Sequence, residues 1–150
     1  MFDISDHFFD TLHSLEVLLL DNVRPDTFFH THSLQRLLRN LTNLRYLDIS
    51  RNRLNSLLSP LDTFSSTPNI THIILSQNRF SSIPFDLETT HNLRVMDLSN
   101  NAILFLSDDE MAKLNRHVAR VETFTLRLFG NGIACVCSQS TFVGEFSTER

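Results

Sequence analysis

The sequence predicts an α/β solenoid, with a curved parallel β-sheet on the concave face and turns and short helices on the convex face. Three observations predict it. Between Leu41 and Leu54 the apolar residues fall at 41, 44, 47, 49 and 54, with an asparagine at 52, a spacing that neither a helix period of about 3.6 nor a strand period of about 2 produces. The same pattern can be laid over other stretches of the chain. In those copies an asparagine returns at the same place, at 78, 101 and 131. A unit that repeats with a period of 20–50 residues cannot bury its apolar face alone and does so by stacking on its neighbours.

The first repeat is Phe9, Leu12, Leu15, Leu18 and Leu20, with Val23 where the asparagine belongs. Valine has no amide to offer, so this repeat is expected to be the weaker one, with Asn22 as a candidate substitute. The second is Leu38, Leu41, Leu44, Leu47, Ile49, Asn52 and Leu54. The third runs Phe64, Thr67, Ile70, Ile73, Leu75, Asn78, Phe80 and Ile83, and the fourth Leu87, Thr90, Leu93, Met96, Leu98, Asn101, Ile103 and Leu106. The fifth keeps Leu126, Leu128, Asn131 and Ile133. This is the pattern of a leucine-rich repeat. In each copy the residue pair such as Leu47 and Ile49 points inward from a short strand, and the asparagine amide bonds backbone groups of neighbouring turns. Between strands, Thr11–Leu15 and Leu37–Leu41 suit short helical or extended turns. Met111, Leu114, Val118 and Val121 recur on one helical face, and Ser107 followed by Glu110 is a helix-start signature, so a helix is expected over 108–119.

Composition removes several function classes. The net charge of −4 argues against a nucleic-acid groove, where affinity rests on neutralising phosphates. Arg45, Arg51, Arg53 and Arg79 lie near one another in the repeat frame and read as a solvated face. The apolar runs, Val17–Leu20 among them, are far short of the roughly 20 residues of a membrane helix. The amino terminus is acidic and lacks a signal peptide's apolar stretch. Most of the 13 phenylalanines are expected in the core. No catalytic constellation emerges: Asp108, Asp109 and Glu110 diverge around a helix start, where the macrodipole accounts for them. His30 and His32 have no third metal ligand. No cofactor or metal is expected, and the chain reads as a non-enzyme.

After the fifth repeat the pattern changes to Asn131-Gly-Ile-Ala-Cys135-Val-Cys137, followed by Phe142 and Phe146. This resembles the start of the cysteine-rich cap that closes extracellular leucine-rich repeat arrays. Here Gly132 stands where proline is usual, and Phe146 near where tryptophan is common. The long, irregular, phenylalanine-rich repeats resemble the membrane-proximal end of a Toll-like receptor ectodomain. The expected organisation is therefore about five repeats over 1–133 and a truncated cap over 134–150. In that family the two cysteines bond to two further ones, which this sequence does not contain. Cys135 and Cys137 are too close to bridge each other without strain; zinc ligation and ordinary free thiols remain open readings. The resemblance implies a fragment of a receptor whose segment lies on the extracellular side of a membrane. Its partners would be a protein or a microbial ligand and a second receptor chain, alike or different. Two N-glycosylation triplets, at Asn40 and Asn69, agree with that location. The alternatives are another extracellular adhesion or matrix protein, which downstream sequence would reveal, and a cytosolic scaffold.

The candidate binding surface is the concave face. Its outward residues form rows, Val17, Tyr46, His72, Val95 and Thr125 in the first and Leu19, Asp48, Ile74, Asp97 and Arg127 in the second. From these, Tyr46, Asp48, His72, Ile74, Val95, Asp97 and Arg127 are the candidate contacts. Leu19 and Ile74 are apolar where water is expected, which marks a contact patch. Tyr46 and His72 are expected to be neighbours. Solenoid ends without caps are expected to expose Leu18 and Leu20.

Overall fold

The computed structural model describes residues 9–23, 34–58 and 60–133. Five short strands form one sheet: β1 (Val17–Leu19), β2 (Tyr46–Asp48), β3 (His72–Ile74), β4 (Val95–Asp97) and β5 (Thr125–Arg127). They lie side by side in chain order, and every neighbouring pair is parallel. Leu18, Leu47, Ile73, Met96 and Leu126 stand in one register, as the spacing predicts. Parallel neighbours need a crossover, and each repeat supplies it on the convex side. There lie α1 (Leu34–Leu38), a 3-10 turn (Leu87–Thr89) and α2 (Asp108–Arg120). The chain is thus an α/β leucine-rich repeat solenoid.

The inward residues fill a continuous core that includes Leu41, Leu44, Leu47, Ile49, Phe64, Ile70, Leu75, Phe80, Met96 and Leu98. Two repeats place threonine where the others have leucine. Thr67 and Thr90 are nonetheless buried, because each hydroxyl donates to a carbonyl three residues earlier, of Phe64 and Leu87, at 3.1 Å. Leu18 and Leu20 are buried too, against the expectation of a bare solenoid end; Phe9 belongs to the same cluster. The phenylalanines divide. Phe9, Phe64, Phe80 and Phe85 are buried, whereas Phe105 and Phe129 are more than half exposed, so these two are not core.

The asparagines form the ladder that their recurrence predicts. Asn52 Nδ2 donates to the carbonyls of Leu20 (2.7 Å) and Ile49 (3.0 Å), one in the preceding repeat and one in its own. Asn78 repeats this with Ile49 and Leu75, Asn101 with Leu75 and Leu98, and Asn131 with Leu98 and Leu128. Each Oδ1 accepts backbone amides of the repeat before it: Val23 to Asn52, Asn52 and Leu54 to Asn78, Phe80 to Asn101, Ile103 to Asn131. Asn22 does not replace the missing asparagine at 23. It is exposed with φ 51°, in line with Arg51, Gln77, Asn100 and Gly130, all of positive φ and each one place before a ladder position. The chain turns out of every strand through the left-handed region, which L-residues other than asparagine and glycine enter at a cost. At Gly130 space matters as well, since a Cβ there would lie 2.2 Å from Asn100 Oδ1.

Helix α2 begins where its cap predicts and runs one residue further. Ser107 and Glu110 form a full capping box. Its buried face differs from the apolar periodicity: Leu114 and His117 are buried, while Met111, Val118 and Val121 are only half-buried. The histidine packs inward because its Nε2–H reaches the Leu93 carbonyl at 2.8 Å. Cys135, Cys137, the boundary at residue 133/134, His30 and His32 lie outside the described residues.

Candidate functional site

The concave face positions the candidate residues by strand register alone. Val17, Tyr46, His72, Val95 and Thr125 stand across from one another in one row, and Leu19, Asp48, Ile74, Asp97 and Arg127 in the next. Tyr46 and His72 stack, with ring centroids 5.6 Å apart and planes 28° apart. His72 Nδ1 also lies 2.9 Å from the Thr71 hydroxyl, which donates to the Arg45 carbonyl. The imidazole is therefore held by the Tyr46 ring and by the Thr71 hydroxyl. Partial burial, with the carboxylates of Asp48 and Asp97 nearby, pushes the Tyr46 phenol above its ordinary value. It stays protonated and can donate a hydrogen bond at neutral pH.

The acidic residues are partly committed. Asp48 accepts the Ser50 amide at 2.8 Å and stays half-buried. Asp97 is buried, accepts the Ser99 amide (2.9 Å) and hydroxyl (2.6 Å), and faces the Arg127 guanidinium at 3.6 Å. Two residues beyond Leu19, Asp21 pairs with Arg51 and accepts the Ser50 hydroxyl, and the hydrogen bond from Arg51 holds its carboxyl below the usual range. Ile74 is not an exposed apolar residue. Only 9% of it is accessible, because β3 is the middle strand and Asp48 and Asp97 flank it on both sides. Leu19, on β1 with a described neighbour on one side, is 62% exposed, and Val17 is 52% exposed. Val17 faces Tyr46 and Leu19 faces Asp48, so the apolar patch is Val17, Leu19, Tyr46 and His72. Val95 continues it half-buried, and Arg127 is exposed at the far edge.

A second set of asparagines went unnoticed in the sequence. Asn43, Asn69 and Asn92 each stand three residues before a strand and donate to a carbonyl of the preceding repeat: His13, Thr42 and Pro68, all at 2.9 Å. The recurring Asn-Leu-Arg, Asn-Ile-Thr and Asn-Leu-Arg segments before β2, β3 and β4 are the signal that identifies them. Asn69 is also a glycosylation triplet residue. It is exposed, and its one amide bond to Thr42 leaves the second N–H free. Asn40 is half-buried, with its amide donating to Asp10 at 3.1 Å.

Shallow clefts lie among the described residues away from the concave face. One, of about 510 Å³, is lined by Ser81, Ser82, Ala102, Leu104, Phe105, Ser107 and Glu110. Another, of about 200 Å³, lies between Pro60, Phe85 and Lys113. Among the described residues there is no cluster of metal-ligating side chains, and no helix is long and apolar enough to cross a membrane.

A Leucine Rich Repeat family model matches residues 43–66 and 92–114. Epiphycan of Bos taurus is 33% identical over 93 residues, which is 61% of this chain and 28% of that protein. Toll-like receptor 4 of Equus caballus is 29% identical over 120 residues, 73% of this chain and 14% of that receptor. The crystal structure of human 5T4 (Wnt-activated inhibitory factor 1, trophoblast glycoprotein) superposes with a TM-score of 0.67 at 25% identity, over 82% of this chain and 43% of that one. The chain thus spans under half the length of each of these three proteins.

Proposed function

The chain is a leucine-rich repeat protein that resembles a Toll-like receptor ectodomain, and from that premise we propose that it is a non-catalytic protein-binding segment of an extracellular recognition receptor. One observation carries this reading: the apolar and aromatic patch of Val17, Leu19, Tyr46 and His72 on the open sheet. A rigid tyrosine is an efficient contact because it brings a large area and a polar tip with little side-chain entropy to lose. Val95 extends the patch, and around it Asp48, Asp97 and Arg127 give the contact its polar rim and its register. The partner is a protein or microbial ligand, or a second receptor chain. The alternative, a matrix protein, is favoured by the likeness to epiphycan. The coding frame beyond residue 150 separates the two: a membrane helix followed by a signalling domain supports the receptor.

Photocrosslinking in the full-length secreted or cell-surface parent tests the surface. A benzophenone side chain replacing Tyr46 is expected to trap a partner. The same probe replacing Ala119, exposed on the convex helix, is expected to trap none. Equal adducts at both positions, or adducts at Ala119 alone, contradict the assignment. Under the same reading Asn69 and Asn40 are glycan sites, and peptide mass spectrometry of this material reads both; two bare asparagines argue for the cytosolic alternative.

A further inference from the structure

We propose that helix α2 is an acid-released latch, and that protonation of His117 frees it from the convex side of the fourth repeat. This goes beyond the binding role and does not depend on it. His117 is fully buried on the inner face of α2. A carbonyl only accepts, so the 2.8 Å contact with Leu93 fixes the proton on Nε2. Nδ1 is then a bare acceptor, with no hydrogen-bond partner among the described residues. The Phe124 ring meets the imidazole edge-on, with centroids 4.8 Å apart. An unpaired acceptor in such a place is tolerable. A proton added to Nδ1 creates a buried positive charge and a donor with nothing to receive it.

The charged and titratable groups around the ring do not rescue that charge. Arg120, on the same helix, and His91, on the loop before β4, oppose it. Glu88, on the 3-10 turn, favours it, but its two carboxylate oxygens are already taken by Arg116 at 2.8 Å and Arg120 at 2.9 Å. Burial is the largest influence and holds the imidazole below its ordinary value. The docked helix therefore keeps His117 neutral, whereas a released helix lets it charge freely. The stabilisation is fully present above about pH 6.5 and is lost as pH falls towards the depressed folded value, by up to about tenfold in the docking equilibrium per pH unit.

The rest of the joint is too slight to hold the helix against this. Leu114 is the other buried side chain of α2. The other ties include the half-buried Met111 and Val118, the Ile83 amide to Glu110 at 2.8 Å, Lys113 to Asp86 at 3.8 Å and the two arginines on Glu88. Such exposed ion pairs contribute little. Release would uncover Leu114 and Leu87, both buried while the helix is docked, and more of the half-buried Phe124.

Hydrogen exchange on the full chain at pH 7.5 and 5.5, corrected for intrinsic rates, tests the latch. Amides of residues 111–120 are expected to lose about tenfold in protection at pH 5.5, while those of β2, β3 and β4 keep theirs. In His117→Gln, whose amide can still donate to Leu93 but does not titrate, the difference should vanish. Equal protection of the wild-type helix at both pH values overturns the proposal, as does an undiminished pH effect in H117Q. Should H117Q not fold, imidazole nitrogen shifts of the wild type decide: a charged His117 ring on a fully protected helix overturns the latch, and a charged ring appearing only in step with lost protection supports it.

Discussion

Asn78→Ala is expected to lower the free energy of unfolding by about 4 kcal/mol, enough to remove much of the roughly 5–15 kcal/mol that a domain possesses. Asn78 Oδ1 accepts the buried amides of Asn52 (3.0 Å) and Leu54 (2.9 Å). Alanine leaves both without an acceptor, at about 1–3 kcal/mol each. The carbonyls that Asn78 serves fare better, because Ile49 still receives Asn52 Nδ2 and Leu75 still receives Asn101 Nδ2. The loss thus falls on donors of the preceding repeat. Asn92→Ala is the control. Its exposed amide makes a single bond to Pro68, which water can replace, and the expected loss is under about 1 kcal/mol. Urea denaturation of both variants measures this; similar midpoints for the two would show that the inner ladder does not hold the stack.

Phe64→Ala is expected to cost about 3–5 kcal/mol, the usual result of truncating a buried aromatic ring. Phe64 has no accessible surface and packs edge-on against Phe85, centroids 4.8 Å apart. It lies between β2 and β3 on the convex side, so the cavity opens between two repeats and neither can close it alone. Phe105, 68% exposed, is chemically the same residue, and its change to alanine should stay within about 0.5 kcal/mol. Thermal melts of the pair give the comparison, and a Phe64→Ala protein that melts with the wild type would move that ring out of the core.

Most of the fold could be read from spacing, because a stacked repeat writes its geometry into the sequence. Leu47, Ile73, Met96 and Leu126 line up since each is the middle residue of its strand, and the ladder asparagines follow at a constant offset. The capping box of α2 is likewise local and was legible from Ser107 and Glu110. Burial across the concave face was not. Ile74 and Leu19 occupy the same row, yet one is covered and the other open, a difference set by strand neighbours and not by residue type. Asp97 looked like a free contact and is held by Ser99, which only the turn after β4 brings into range. His117 escaped notice because apolar periodicity ignores a polar ring that finds one carbonyl inside the fold. The stacked pair of Tyr46 and His72, by contrast, follows from register once the strands are placed.

The proposed recognition face depends on parallel strands paired in register, and engineered disulfides measure that directly. In a background with Cys135→Ser and Cys137→Ser, Val95→Cys combined with Thr125→Cys puts two cysteines on partnered positions of adjacent strands, whose backbones are about 4.8 Å apart, within bridging range for the Cα atoms. Val17→Cys with Thr125→Cys spans from β1 to β5 across the sheet, about 19 Å at that spacing. Mild oxidation of the folded chain should close the first pair completely within the monomer and leave the second open. A first pair that stays reduced, or a second that closes within one molecule, would contradict the stacked sheet and the surface built on it.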